Sequence, residues 1–251
     1  MTSLTQRLLR TAASYVPSNS LLGLRNLKDL PARLLHRPHD RDFLPLGCSI
    51  LSNPVILDVG ANRGQSIESF RAMLPNCTIH AVEPNPVLSH ALTRRYPDVT
   101  VYPLALGASA GEFTLHIPRY GHTYWDTRAS LDKQAAREFL SAPNFFAFDT
   151  RRAHVIALSV PVQTLDSLGL SPDVIKIDAE GLEPQILSGA AQTLECAPVV
   201  MVEGSDPRVM DILMPRGYAP FHADGKRLKS GAGRHNTYFL TEPLQQHFAL
   251  G

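Results

Sequence analysis

From residue 54 onward, short apolar runs alternate with stretches whose apolar positions recur at helical spacing. Val55-Ile56-Leu57-Asp58-Val59 is almost wholly apolar and stops at Gly60, the pattern of a buried parallel strand. Residues 64–74 then place Ile67, Phe70 and Leu74 on one helical face. Residues 78–82 read as a second strand, ended by Glu83-Pro84. Asn85-Pro86 opens the next helix, because proline suits a first turn where its missing N–H is not needed. Residues 99–102 form a third strand, and residues 111–117 alternate like another. Residues 174–178 and 199–203 are two further apolar runs, each ending in an acid, with a helix predicted over 183–194 between them. Residues 218–222 and 237–240 close the pattern around a loop rich in Gly and Lys. Pro220 predicts that the first of these is irregular or lies at an edge.

Strands alternating with helices predict an α/β fold, a Rossmann-like parallel sheet covered on both faces, with a C-terminal hairpin that turns the last strand antiparallel. Residues 1–45 read differently. Leu4, Leu8, Leu9, Ala12 and Val16 recur at near-helical spacing, and Pro17, Pro31, Pro38 and Pro45 divide the rest of this stretch into short segments. We expect a helical, basic appendage over 1–45 and one domain over 46–251. The appendage packs on the main domain or on a second copy of the chain; a transit peptide and binding at a membrane surface are the other readings.

Composition narrows the classes. The 251 residues are 44% hydrophobic and 19% charged with a net charge of +1, an ordinary globular balance with no general pull toward nucleic acid. Residues 1–45 are the exception, with seven Lys/Arg against three Asp/Glu. No apolar run approaches a membrane span, and no secretory signal is visible, so the expected location is the cytoplasm. Cys48, Cys77 and Cys196 are far apart without metal-finger spacing and read as buried or idle thiols.

The strongest chemical signal is the loop Asp58-Val59-Gly60-Ala61-Asn62-Arg63-Gly64 at the end of the first strand. Its glycines allow a sharp turn and close approach of a ligand, and parallel sheets bind ligands beyond their strands' carboxyl ends. A dinucleotide fingerprint needs G-x-G-x-x-G, whose middle glycine is missing here. Asp58 would repel a pyrophosphate but suits the ammonium of an amino acid. Glu83, at the end of the second strand, suits both hydroxyls of a ribose. Amino acid plus ribose describes S-adenosylmethionine (SAM). The rival readings are a nicotinamide-dependent oxidoreductase and a non-catalytic nucleotide-binding module.

Asp178, Glu180 and Glu203 lie at strand ends that face the same crevice. They are candidates for the base in hydroxyl chemistry or, for Asp178 and Glu203, for ligands of Mg²⁺. His122, Tyr124 and Trp125, in the segment Pro118 to Leu131, offer a second candidate base and aromatic faces for a sugar ring. His235 and Asn236 precede the last strand and are further acceptor-site candidates.

LDVGANRGQS, AVEPNP and VIKIDAEGLEPQILSG together resemble the three signature blocks of the FkbM-type methyltransferases, over roughly residues 54–242. The resemblance implies the class I methyltransferase sheet, seven strands mostly parallel with the last antiparallel. It also implies methyl transfer from SAM to hydroxyl oxygens of sugars or polyketide-like small molecules. Carried onto this chain, it implies SAM contacts from Asp58, Gly60, Asn62, Gly64 and Glu83, with Ala105 and Leu106 flanking the adenine. The segment PRYGHTYWDTRAS departs from the small and polar residues usual there, and residues 1–45 match nothing in the family.

Overall fold

A computed structural model describes residues 3–16, 37–196 and 198–251. Pro17 and Pro31 lie outside these residues. The described chain forms two compact units: residues 3–16 with Glu112–Val160, and residues 37–111 with Pro161–Gly251.

The first unit opens with α1 (Leu4–Ala13), started by a capping box in which Ser3 accepts from the Gln6 amide. Its polar face is the one that docks. Arg7 donates to the Phe145 carbonyl, Arg10 to Asn144 and Thr11 to the Phe146 carbonyl, while Leu4, Leu8 and Leu9 face outward. Thr123 fixes the end of this segment by donating to the carbonyls of Ala13 and Val16.

The second unit carries the main sheet. Its first strands are β1 (Val55–Val59), β2 (Thr78–Val82) and β3 (Thr100–Tyr102), with α2 (Gln65–Met73) and α3 (Pro86–Arg95) between them. Asn85 caps α3 by accepting from the Val87 amide, and Pro86 fills its first turn, as the sequence predicts. The short strand β4 (Ala105–Leu106) comes next. The chain then builds β5 (Gly111–Tyr120), β6 (Thr123–Tyr124), α4 (Lys133–Phe139) and β7 (Ala153–Gln163), most of which make up the first unit. There β5 lies beside β7 and pairs antiparallel with β6 through a two-residue turn; in the second unit β4 pairs parallel with the end of β7.

The second unit continues through β8 (Val174–Ile177), α5 (Glu183–Ser188), α6 (Ala191–Glu195), β9 (Val199–Glu203), α7 (Pro207–Leu213), β10 (Tyr218–Asp224), β11 (Arg227–Ser230), β12 (Asn236–Thr241) and α8 (Glu242–Gln245). The sheet order is β11-β10-β12-β9-β8-β1-β2-β3. Strands β3, β2, β1, β8 and β9 are parallel, and β12 inserts antiparallel between β9 and β10. This is the expected seven-strand arrangement with β11 added as a hairpin partner. Consequently β10 is an interior strand rather than an edge. Pairing with β11 begins at Phe221, one residue past Pro220, so the missing N–H breaks no ladder on that side.

The helix predicted over 183–194 is two helices. It breaks at Gly189, whose carbonyl accepts from the Asp166 amide and whose Cα abuts the Gly107 carbonyl so closely that a Cβ would lie 2.2 Å from it. Burial on both sheet faces explains the apolar runs: Ile56, Val174, Val199 and Met201 pack in one core cluster, Leu57, Ile175, Ile177 and Val200 in the other. The three cysteines are free, and Cys48 and Cys196 are exposed rather than buried. Among the described residues no helix is long and apolar enough to cross a membrane.

Candidate active site

The carboxyl ends of β1, β2, β8 and β9 converge in the second unit. The loop after β1 is bound to β2, because the amides of Gly60 and Ala61 both donate to the Val82 carbonyl, at 2.9 and 3.1 Å. Gly60 has φ +82, and a Cβ there would lie 1.9 Å from the Asp178 carbonyl oxygen. The cradle between the two strand ends therefore exists only with glycine at 60. Gly64 caps α2. Glu83 ties the loop to the next turn: its Oε2 accepts from the Asn62 amide and its Oε1 from the Asn85 amide, both at 2.8 Å. Asn62 Oδ1 is buried without a hydrogen-bond partner, an orphan of the kind a polar ligand satisfies. Ala105 and Leu106 are buried in β4.

Asp58 departs from expectation. It is fully buried, its Oδ2 accepts a short hydrogen bond from Ser66, and its Oδ1 has no hydrogen-bond partner. Burial pushes its pKa up, against the pull of Lys176 and Ser66. It presents no surface to a ligand ammonium and instead braces β1 against the first turn of α2.

Asp178 extends β8, its amide donating to the Val59 carbonyl at 3.0 Å. Its half-buried carboxylate lies 3.0 Å from Lys176 Nζ and shares a hydrogen bond with Glu203. Burial alone would raise the Asp178 pKa, but the Lys176 ammonium and the bonds from Glu203 and Lys176 hold it below the ordinary value. Glu203 is pushed up to about 7, first by its hydrogen bond to Asp178, then by burial and by the charges of Asp178 and Glu180. Glu180 is exposed with φ +51, and Glu183 rather than Glu180 accepts from the Ala179 and Gly181 amides.

These residues do not fit Mg²⁺. The Lys176 ammonium already stands 3.0 Å from the Asp178 carboxylate, and the described residues contain no group of three or more His, Cys, Asp or Glu arranged for a metal. Sequence reasoning passed over Lys176, although a lysine inside an apolar parallel strand is a signal in itself: a buried charge needs partners.

The remaining candidates have other partners or face solvent. Asn236 donates to Asp42 and Asp40, holding the 3-10 segment Arg41–Cys48, and His235 is exposed. In the first unit His122 is exposed in the turn between β5 and β6. Trp125 is 7% exposed, its ring 5.5 Å from Phe139 and 5.7 Å from Phe145, so its faces are spent on that core. Tyr124 is half-buried, with Arg119 over its ring.

The methyltransferase FkbM domain matches residues 58–218, which include the glycine loop, Glu83 and the Asp178–Glu203 pair. The chain belongs to the FkbM methyltransferase family. It is a SAM-dependent methyltransferase, which sets aside the nicotinamide reading. The Gly60 cradle and the orphan Asn62 Oδ1 suit SAM in this FkbM enzyme. Solved structures similar to it include a TehB-like SAM-dependent methyltransferase from Corynebacterium glutamicum, 9% identical over 89% of this chain and 99% of that one, with a TM-score of 0.47. An O-methyltransferase from Bacillus cereus in complex with SAH is 13% identical over 95% and 100%, with a TM-score of 0.41. Precorrin-6y C5,15-methyltransferase from Geobacter metallireducens is 16% identical over 80% and 87%, with a TM-score of 0.43. No curated protein matches the chain.

Proposed function

We propose that this methyltransferase methylates a hydroxyl oxygen of a sugar or polyketide-like small molecule, with Asp178 as the proton acceptor. The observation that carries the reading is a half-exposed carboxylate, held below its ordinary pKa beside Lys176, at the carboxyl end of β8 next to the glycine loop. A hydroxyl needs a hydrogen-bond acceptor as it attacks, and Asp178 is ionised to serve.

SAM supplies the methyl group on a sulfonium, which loses its charge as the carbon–sulfur bond breaks and the oxygen–carbon bond forms. Glu83 and the loop from Gly60 to Gly64 would hold its ribose and amino-acid parts, with Ala105 and Leu106 on the adenine side. The enzyme's main task is to align oxygen, methyl and sulfur, worth several powers of ten in rate. The acceptor proton passes to Asp178 and from there to solvent. Glu180 and His235 are secondary candidates for the acceptor side.

A panel of glycosides and hydroxylated polyketides, monitored by mass spectrometry and release of S-adenosylhomocysteine (SAH), tests the reading. O-methylated product that falls at least tenfold with Asp178→Asn, about 1.4 kcal/mol of barrier, supports it. Product methylated on nitrogen or carbon, or a wild-type rate in Asp178→Asn, overturns it. EDTA leaves the rate unchanged.

A further inference from the structure

Lys176 occupies the middle of a parallel strand and is only 5% exposed. Removing an ammonium from water costs several kcal/mol unless carboxylates repay it. Lys176 faces such groups on three sides. Asp58 lies opposite in register on β1, Asp178 comes two residues later on the same chain at 3.0 Å, and Glu203 at the end of β9 is bonded to Asp178. Glu180 adds a negative charge toward Glu203. Farther along the same strand ends, Asp40 and Asp42 are engaged by Asn236, the register partner of Glu203. The result is a file of groups, Asp58, Lys176, Asp178 and Glu203, across three adjacent strands. One end is buried behind the cofactor loop and the other opens at the crevice.

We propose that Lys176 is a positioning residue for methyl transfer: its buried ammonium fixes the negative charge on Asp178 rather than Glu203, and the same ammonium neutralises Asp58 behind the cofactor loop. The inference rests on Asp178 as proton acceptor and extends it to the group that keeps Asp178 in that state. No oxidant or second reactant is involved. The acceptor hydroxyl gives its proton to the Asp178 carboxylate.

The test tracks the carboxyl carbons of Asp178 and Glu203 by ¹³C NMR across pH in the full chain, assigned with Asp178→Asn and Glu203→Gln. In the wild-type protein Asp178 should titrate below the ordinary aspartate range and Glu203 near 7. In Lys176→Met, which keeps the length and fills the same space, the Asp178 titration should move up by a pH unit or more, a tenfold change in proton affinity. SAH, titrated calorimetrically, should bind several-fold more weakly because Asp58 has lost its counter-charge. Unchanged titrations in a folded Lys176→Met protein overturn the proposal. Should that variant not fold, the ¹⁵N resonance of the wild-type Lys176 ammonium decides instead. It should shift on Asp178→Asn, and indifference to that substitution overturns the proposal equally. None of these readouts needs an acceptor, so a failed glycoside panel with intact linkage rejects hydroxyl methylation alone, whereas unlinked titrations reject the role of Lys176 alone.

Discussion

Replacing Gly60 by alanine strikes the cofactor cradle at its narrowest point. The new Cβ would lie 1.9 Å from the Asp178 carbonyl oxygen, where ordinary contact begins at 3.4 Å, and the neighbour is backbone that cannot swing away. The residue also has φ +82, so alanine carries left-handed strain on top of the collision. Strain of about 1–3 kcal/mol and overpacking of similar size sum to roughly 2–6 kcal/mol, against a typical total stability of about 5–15. For a chain of this size that lowers Tm by roughly 5–20 °C without abolishing the fold. Relief of the clash must part β1 from the Asp178 turn, which carries the Gly60 and Ala61 amides away from Val82. SAH affinity should then fall at least tenfold, about 1.4 kcal/mol. Calorimetric Tm and SAH titration on one preparation measure both. Gly111→Ala is the control, since nothing lies within 4 Å of its Cβ position; it should stay within about 0.5 kcal/mol of wild type. A Gly60→Ala protein with wild-type Tm and wild-type SAH affinity would refute the cradle.

Glu83→Gln replaces one of the two oxygens that accept the Asn62 and Asn85 amides with a donor. SAH affinity should drop by roughly 10- to 100-fold, the scale of a charged hydrogen bond, and an unchanged dissociation constant would remove Glu83 from the site. The carboxyl pair should also shape stability against pH. Glu203 has a raised folded pKa, so its contribution is present below the ordinary glutamate value of 4.5 and is lost as pH rises toward about 7. Asp178, held low, works in the opposite sense and loses its contribution as pH falls below its ordinary 3.8. Thermal melts should therefore show wild type losing stability between pH 4.5 and 7 relative to Glu203→Gln, and parallel curves would contradict the shared proton. Trp125→Ala empties the core of the first unit and should cost about 3–5 kcal/mol. A Tm within about 2 °C of wild type would mean that the ring is not a packing element.

The strands buried on both faces were legible in the sequence because burial leaves a continuous apolar run with a sharp stop; β1 and β9 match to the residue. Strand β7 escaped notice for the opposite reason. Most of its eleven residues are exposed or half-buried, so it has no continuous apolar run, and its alternation over 156–163 includes Pro161, which argues against a strand. The break at Gly189 depends on a close approach to Gly107, a contact between positions remote in sequence. At the site, the glycine loop and Glu83 could be placed from strand ends alone. The separate fates of Asp58 and Asp178 could not, because both are acids at the carboxyl ends of parallel strands. Ser66 and Lys176 make the difference, one closing over Asp58 and the other standing beside Asp178.

The reversed seating of α1 bears on the order in which the molecule assembles. Its bonds to the rest of the first unit join positions 110 to 138 residues apart, and none of its side chains is buried. A ten-residue helix is marginal in isolation, and arginine and threonine docks exist only after residues 144–146 have taken their native path. The helix therefore joins late in folding. With only Ala13 of its apolar side chains packed on the core, it is also the piece that opens first, so its amides should exchange with solvent at a free energy well below that of global unfolding.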